Sequence, residues 1–113
     1  MSDYIDWPDS SGRTYRYWLL ATPSVASSIK DEGGNYVFAK RLLNGNFVPI
    51  YFGVADNLRA RIAGHNRWHD AVRAGATHVF AHTQAGDLIR CAEERALIQQ
   101  WNPPLNIQHR TAI

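Results

Sequence analysis

Residues 35–53 read NYVFAKRLLNGNFVPIYFG. Two apolar runs, 35–43 and 47–53, flank Asn44-Gly45-Asn46, and Asn and Gly accept the positive φ that a tight hairpin turn requires. A two-residue turn at Asn44-Gly45 sets Tyr51 opposite Phe38; a turn at Gly45-Asn46 sets it opposite Lys40. In both registers Tyr51 projects to the face of Tyr36, because strand side chains alternate with a period of two. Pro49 has no N–H to give to a ladder, so it calls for an edge strand or a bulge, and a bulge would change the parity.

Outward from this hairpin, residues 13–21 (RTYRYWLLA) are rich in aromatic and aliphatic side chains and read as a further strand. Residues 1–12 read as a loose leader punctuated by Pro8, Ser10, Ser11 and Gly12, and 23–34 as a short helix or turn. Downstream, Asp56 caps a helix that runs through His65, with Leu58, Arg61, Ile62 and His65 along one side. Gly64 and Asn66 break it, and RWHDAVRAG (67–75) forms a second short helix ended by Gly75. THVFAHT (77–83) is a strand. GDLIRCAEERALIQQW (86–101) is a long helix stopped by Asn102-Pro103-Pro104. The expected fold is α+β, a small mixed sheet of about three main strands flanked by helices. Residues 1–33 form an N-terminal extension with an extra strand, 34–106 the main domain and 107–113 a tail.

The chain has 113 residues, enough for one domain, and its four Trp, five Tyr and four Phe supply much of a core. A single cysteine, Cys91, rules out an intrachain disulfide and a cysteine-rich zinc site. No apolar run approaches the roughly 20 residues of a membrane helix. The start, MSDYIDWPDSSG, is the reverse of a secretory signal, so a cytoplasmic protein is the expectation. Net charge is +2, unevenly placed: residues 1–33 hold three Lys/Arg against five Asp/Glu, and 34–113 hold nine against five. That asymmetry suits a polyanionic partner.

Polar residues on apolar faces are the informative feature. Arg61 shares a helix side with Leu58 and Ile62. In the last helix Cys91, Glu94, Ile98 and Trp101 fall on one stripe, with Glu93 about 100° away, so Glu94 is the carboxylate expected to face a concave interior and Cys91 to pack as a small apolar group. The bland account is an Arg–Glu pair at the core edge. Phosphodiester hydrolysis accounts for more of the set. A carboxylate is a hard ligand for a divalent cation, the arginine fork matches phosphate oxygens, and tyrosine with histidine can activate water. His65/His69 lacks the glutamate of a zinc protease motif. His78/His82 on a strand lie about 13 Å apart, too far to share an ion. Trp68 and Trp101 read as packing residues.

Gly34-Asn35-Tyr36 and Tyr51-Phe52-Gly53 resemble the paired tripeptides that name the GIY-YIG nucleases. Leu58, Arg61 and His65 reproduce the family's leucine, arginine, histidine spacing, and Glu94, Leu97-Ile98, Pro103 and Asn106 its later element. The similarity covers residues 34–106, and five elements in order are specific where one tripeptide is not. The resemblance implies an endonuclease that hydrolyses DNA with Mg2+ or Mn2+. Tyr36 would activate water, Tyr51 orient water or phosphate, Arg61 bind the scissile phosphate, His65 assist proton transfer, Glu94 hold the metal and Asn106 shape the site. Asn35 departs from the usual apolar middle residue, and the stretch between the tripeptides, 37–50, is longer than in many relatives.

Two further readings stand beside this one: a non-catalytic nucleic-acid-binding module with the same fold, and a protein-interaction domain. Arg59, Arg67 and Arg73, with Arg61, would contact phosphates without reading bases. Sequence specificity would then come from a protein partner or a homodimer.

Overall fold

In the computed structural model, which describes residues 4–20, 29–63 and 67–106, two loops of one geometry pair the first four strands. Ser10-Ser11-Gly12 lies between Tyr4–Pro8 (β1) and Thr14–Leu20 (β2), and Leu43-Asn44-Gly45 between Gly34–Arg41 (β3) and Phe47–Ala55 (β4). In the first, Gly12 N–H donates to Asp9 O (3.1 Å) and Asp9 N–H to Arg13 O (2.8 Å); in the second, Gly45 N–H donates to Leu42 O (2.9 Å) and Leu42 N–H to Asn46 O (2.7 Å). Gly12 and Gly45 both sit at φ +90°, the left-handed closing position of a three-residue hairpin loop. The Asp9 carboxylate braces its loop, accepting from Ser11 N–H (2.9 Å), Ser11 Oγ (2.6 Å) and Tyr15 Oη (2.9 Å).

The loose leader expected over residues 1–12 is thus a strand and its turn from Tyr4 onward. Ile5 and Trp7 alternate inward against Tyr17 and Tyr15, a pattern obscured by the Pro and Ser residues around it.

Leu58–Ala63 (α1) and Arg67–Arg73 (α2) follow, then His78–Thr83 (β5), Asp87–Trp101 (α3) and a 3-10 turn, Pro104–Asn106. Asn57, rather than Asp56, caps α1, its Oδ1 accepting from Ala60 N–H at 3.0 Å. Past α2, Ala76 N–H reaches Ala71 O (2.8 Å) and Gly75 N–H reaches Val72 O (2.9 Å), closing the helix through Gly75 at φ +107°. The expected helix as far as His65 and the break at Gly64 and Asn66 fall partly on residues 64–66, outside the described residues, as do segment 21–28 and tail 107–113.

The five strands form one sheet in the order β1-β2-β5-β3-β4, and every pairing is antiparallel. The sheet is therefore neither mixed nor three-stranded: β3, β4 and β5 are the three expected strands, β2 the expected extra one, and β1 extends it. Tyr36, Phe38, Ile50, Val79 and Ala81 pack with Ile29, Leu58 and Ile62 on one side. Val37, Ala39, Phe52, Phe80, Trp7 and Tyr17 pack with Leu97, Ile98 and Trp101 on the other. No helix among the described residues is long and apolar enough to cross a membrane.

Candidate functional site

The three-residue loop closes the β3–β4 hairpin with Arg41 opposite Phe47. Continued unchanged, that register would bring Tyr51 opposite Val37 and turn its ring away from Tyr36. It does not continue. Pairing steps from Ala39↔Pro49 to Phe38↔Tyr51, leaving Ile50 as a bulged residue that, like Tyr51, faces the Tyr36 side. Pro49 lies on an edge strand and beside a bulge, so both of its expected accommodations occur together. The two phenols share a face because the loop and the bulge offset each other.

Tyr36 and Tyr51 then meet, ring centroids 6.2 Å apart, with their hydroxyls sharing a hydrogen bond. Phe38 stacks on Tyr51 at 5.9 Å from one side, and Trp68 packs edge-on against Phe38 at 5.1 Å. The glycines of the two tripeptides have steric roles. A Cβ at Gly53 would stand 2.3 Å from Tyr36 Cζ, and one at Gly34 would stand 2.1 Å from the His82 carbonyl oxygen. Burial above all, then the Tyr51 hydroxyl, pushes the Tyr36 phenol far above the ordinary tyrosine range; the Arg61 guanidinium pulls it back and the Glu94 carboxylate adds to the rise. Those two charges, from α1 and α3, thus act on the same phenol. Tyr36 is 0 % exposed, whereas Tyr51 and Glu94 are half-buried and Arg61 is exposed.

Asn106 binds the backbone of Phe52, the residue after Tyr51. It is 0 % exposed, and its amide bridges the free edge of β4: Oδ1 accepts from Phe52 N–H and Nδ2 donates to Phe52 O, both at 2.9 Å. It splints the strand next to Tyr51. His65 lies outside the described residues. Arg73 pairs with Asp70, and Arg59 Nε donates to the Ile29 carbonyl at 3.1 Å.

The expected stripe on α3 is displaced by one residue. Arg90, Glu93, Leu97 and Ile98 are its buried positions, and Cys91 is half-buried. Glu93, 4 % exposed, accepts from Tyr17 Oη at 2.6 Å. His82 Nε2 lies 2.7 Å from the same oxygen, though off the line of an aligned hydrogen bond, and the Tyr17 and His82 rings stack at 4.5 Å. Arg90 donates to Gln84 O (2.8 Å), Ala85 O (3.1 Å), Asp56 (3.0 Å) and Asp87 (3.1 Å). Asn35, the polar residue of the first tripeptide, donates from Nδ2 to Arg90 O at 3.0 Å, which explains its place on a buried strand. Sequence reasoning passed over Tyr17, turned Glu93 away from the inward stripe and weighed His82 only as half of a metal pair with His78; two adjacent glutamates on a helix expected to be half-buried were the available signal. Trp101 packs edge-on against Trp7 at 5.3 Å, and Trp68 and Trp101 are packing residues as expected. His78 and His82 have separate partners, Thr77 Oγ1 at 2.7 Å and Glu93.

No protein-family model and no curated protein matches the chain. Among solved structures, the chain is similar to the GIY-YIG N-terminal endonuclease domain of UvrC from Thermotoga maritima in three point-variant forms, each bound to its catalytic divalent cation. Two superpose with TM-scores of 0.55 at 21% and 20% identity and the third at 0.54 and 21%, each over 67% of this chain and 83% of that domain. The fold is GIY-YIG-like.

Proposed function

We propose that this chain is a divalent-metal-dependent endonuclease that hydrolyses DNA phosphodiester bonds. The observation that carries the reading is the Tyr36–Tyr51 pair, ring centroids 6.2 Å apart, on a fold like that of a GIY-YIG endonuclease domain; the charges of Arg61 and Glu94 both act on Tyr36.

Among the described residues no three His, Cys, Asp or Glu side chains gather into a cage for a metal. One half-buried carboxylate is a suitable anchor for Mg2+ or Mn2+, which keep several waters and take further oxygens from a substrate phosphate. Glu94 would hold the ion, which supplies charge neutralisation on the phosphate and the leaving oxygen. Arg61, exposed on α1, grips the scissile phosphate through its planar fork. Tyr51 is half-buried and Tyr36 fully enclosed, so an incoming water meets Tyr51 first. Tyr51 therefore orients the water, whose proton would pass to His65, and Tyr36 holds Tyr51 through their shared hydrogen bond. This reverses the order of the two phenols expected from the resemblance. His65 assists proton transfer.

Arg59, Arg67 and Arg73 add contacts to the DNA backbone, which hold without reading bases. Binding is accordingly weak, low in base specificity and steeply salt-dependent, and a partner protein or a second copy supplies selectivity. The test is nicking of supercoiled plasmid with Mg2+ or Mn2+ by the wild type, Glu94→Ala and Arg61→Ala. Nicking by the wild type and its loss in both variants is the expected result. A wild type that leaves the plasmid intact, or variants that cut as well as it does, would overturn the reading.

A further inference from the structure

α3 has no continuous apolar stripe to set its roll on the sheet: of its four buried positions, Arg90 and Glu93 are charged. A rotation of one residue, about 100°, would exchange Glu93 for Glu94, so whatever holds Glu93 inward also decides where Glu94 points. The holding groups come from outside the helix. Tyr17 of β2 donates to Glu93 at 2.6 Å, and His82 of β5 stands 2.7 Å from the same oxygen. Tyr17 stacks on His82 at 4.5 Å with the rings 19° from parallel, so the two restrain each other. Further down the helix, Trp101 Nε1 donates to Pro8 O at 3.0 Å. Near its start, Asn35 Nδ2 holds the Arg90 carbonyl. The N-terminal hairpin β1–β2 therefore grips α3 at its middle and at its end.

We infer that Tyr17 and His82 are positioning residues, which act through Glu93 to lock the roll of α3 and so aim Glu94 at the Tyr36–Tyr51 pair. The inference rests on the nuclease reading in one respect, that Glu94 is the metal ligand. It gives the N-terminal hairpin a role in the site without a contact to substrate. A shift of Glu94 of about 1 Å is enough to matter, since misplacement on that scale costs on the order of a hundredfold in catalysis.

The test compares wild type, Tyr17→Phe, Glu93→Ala, Glu93→Gln and Tyr15→Phe. Tyr15→Phe is the control: it deletes a phenol hydrogen bond to Asp9 in the same hairpin and leaves the Tyr17–Glu93 hydrogen bond in place. Mn2+ binding is measured without DNA by electron paramagnetic resonance, thermal stability by circular dichroism, and nicking as a function of Mn2+. Tyr17→Phe and Glu93→Ala are expected to weaken Mn2+ binding about tenfold and to raise the Mn2+ half-saturation of nicking by the same factor. Glu93→Gln keeps an acceptor for Tyr17 and restores binding to within about twofold of wild type. Tyr15→Phe lowers thermal stability and leaves the Mn2+ affinity alone. A wild type that binds Mn2+ and nicks, beside Tyr17→Phe and Glu93→Ala proteins with the same Mn2+ affinity, overturns this inference while the nuclease reading stands. A wild type that neither binds Mn2+ nor nicks overturns both.

Discussion

The ring of Tyr36 lies on the Cα of Gly53, its cross-strand partner, so closely that a methyl group there would sit 2.3 Å from Cζ and 2.4 Å from the hydroxyl oxygen. Gly53 is therefore a seat for the phenol, and the constraint is steric. Gly53→Ala is expected to cost roughly 1–3 kcal/mol through overpacking and to abolish nicking, as read from urea unfolding and plasmid assays. Gly45→Ala makes the contrast: φ is +90° there and no atom lies within 4 Å, so the cost is backbone strain of about 1–2 kcal/mol with nicking retained. A Gly53→Ala protein as stable and active as wild type would refute the seat.

The two phenols should separate kinetically. Tyr51→Phe removes the hydroxyl that meets water and is expected to slow single-turnover nicking by about 10²–10⁴-fold. Tyr36→Phe removes only the group behind it, and a loss on the order of tenfold is expected. Rates in the opposite order would return the water-activating role to Tyr36.

Asn106 should behave as a structural splint. Asn106→Ala leaves the buried N–H and C=O of Phe52 without the partners they have at 2.9 Å, a cost of roughly 2–6 kcal/mol at about 1–3 kcal/mol per orphaned group. Asn106→Asp should fail to restore stability, because a carboxylate has no donor for the Phe52 carbonyl, although it would serve a metal better than the amide does. Equal unfolding midpoints for wild type and Asn106→Asp would show that the amide is not the splint.

Alkaline stability follows from the buried phenols. Burial first, then the charge of Glu93 and its hydrogen bond, raises Tyr17 well above the usual tyrosine value of 10.0, and Tyr36 is raised in the same direction. In the unfolded chain both ionise near 10. Below that pH both states hold the protons and stability is level; above it the folded state holds more, so stability falls as pH rises. Urea unfolding between pH 9 and 11 should show that decline, with a shallower slope for Tyr17→Phe. Identical slopes would mean that Tyr17 is not held protonated.

Much of the site was legible in the sequence for a local reason. Strand alternation and turn chemistry act over a few residues, so the β3–β4 hairpin, its two tyrosines and the α1 arginine could be read from their neighbours. The shared face of Tyr36 and Tyr51 was read correctly by way of a two-residue turn. The protein reaches it through a three-residue loop and a bulge, two departures that cancel. The first hairpin was missed although Asp9, Gly12 and the alternation of Ile5, Trp7, Tyr15 and Tyr17 were present, because Pro8 and two serines read as an unstructured leader.

By itself, the sequence determined that strands, turns and helices occur in this order, with glycines and tyrosines spaced to bring two phenols to one face, because those preferences belong to neighbouring residues. Only the tertiary structure decided which of two adjacent glutamates is buried. A helix whose buried positions are half charged takes its roll in part from its partners, and those partners, Tyr17 and His82, lie 76 and 11 residues away from Glu93 along the chain.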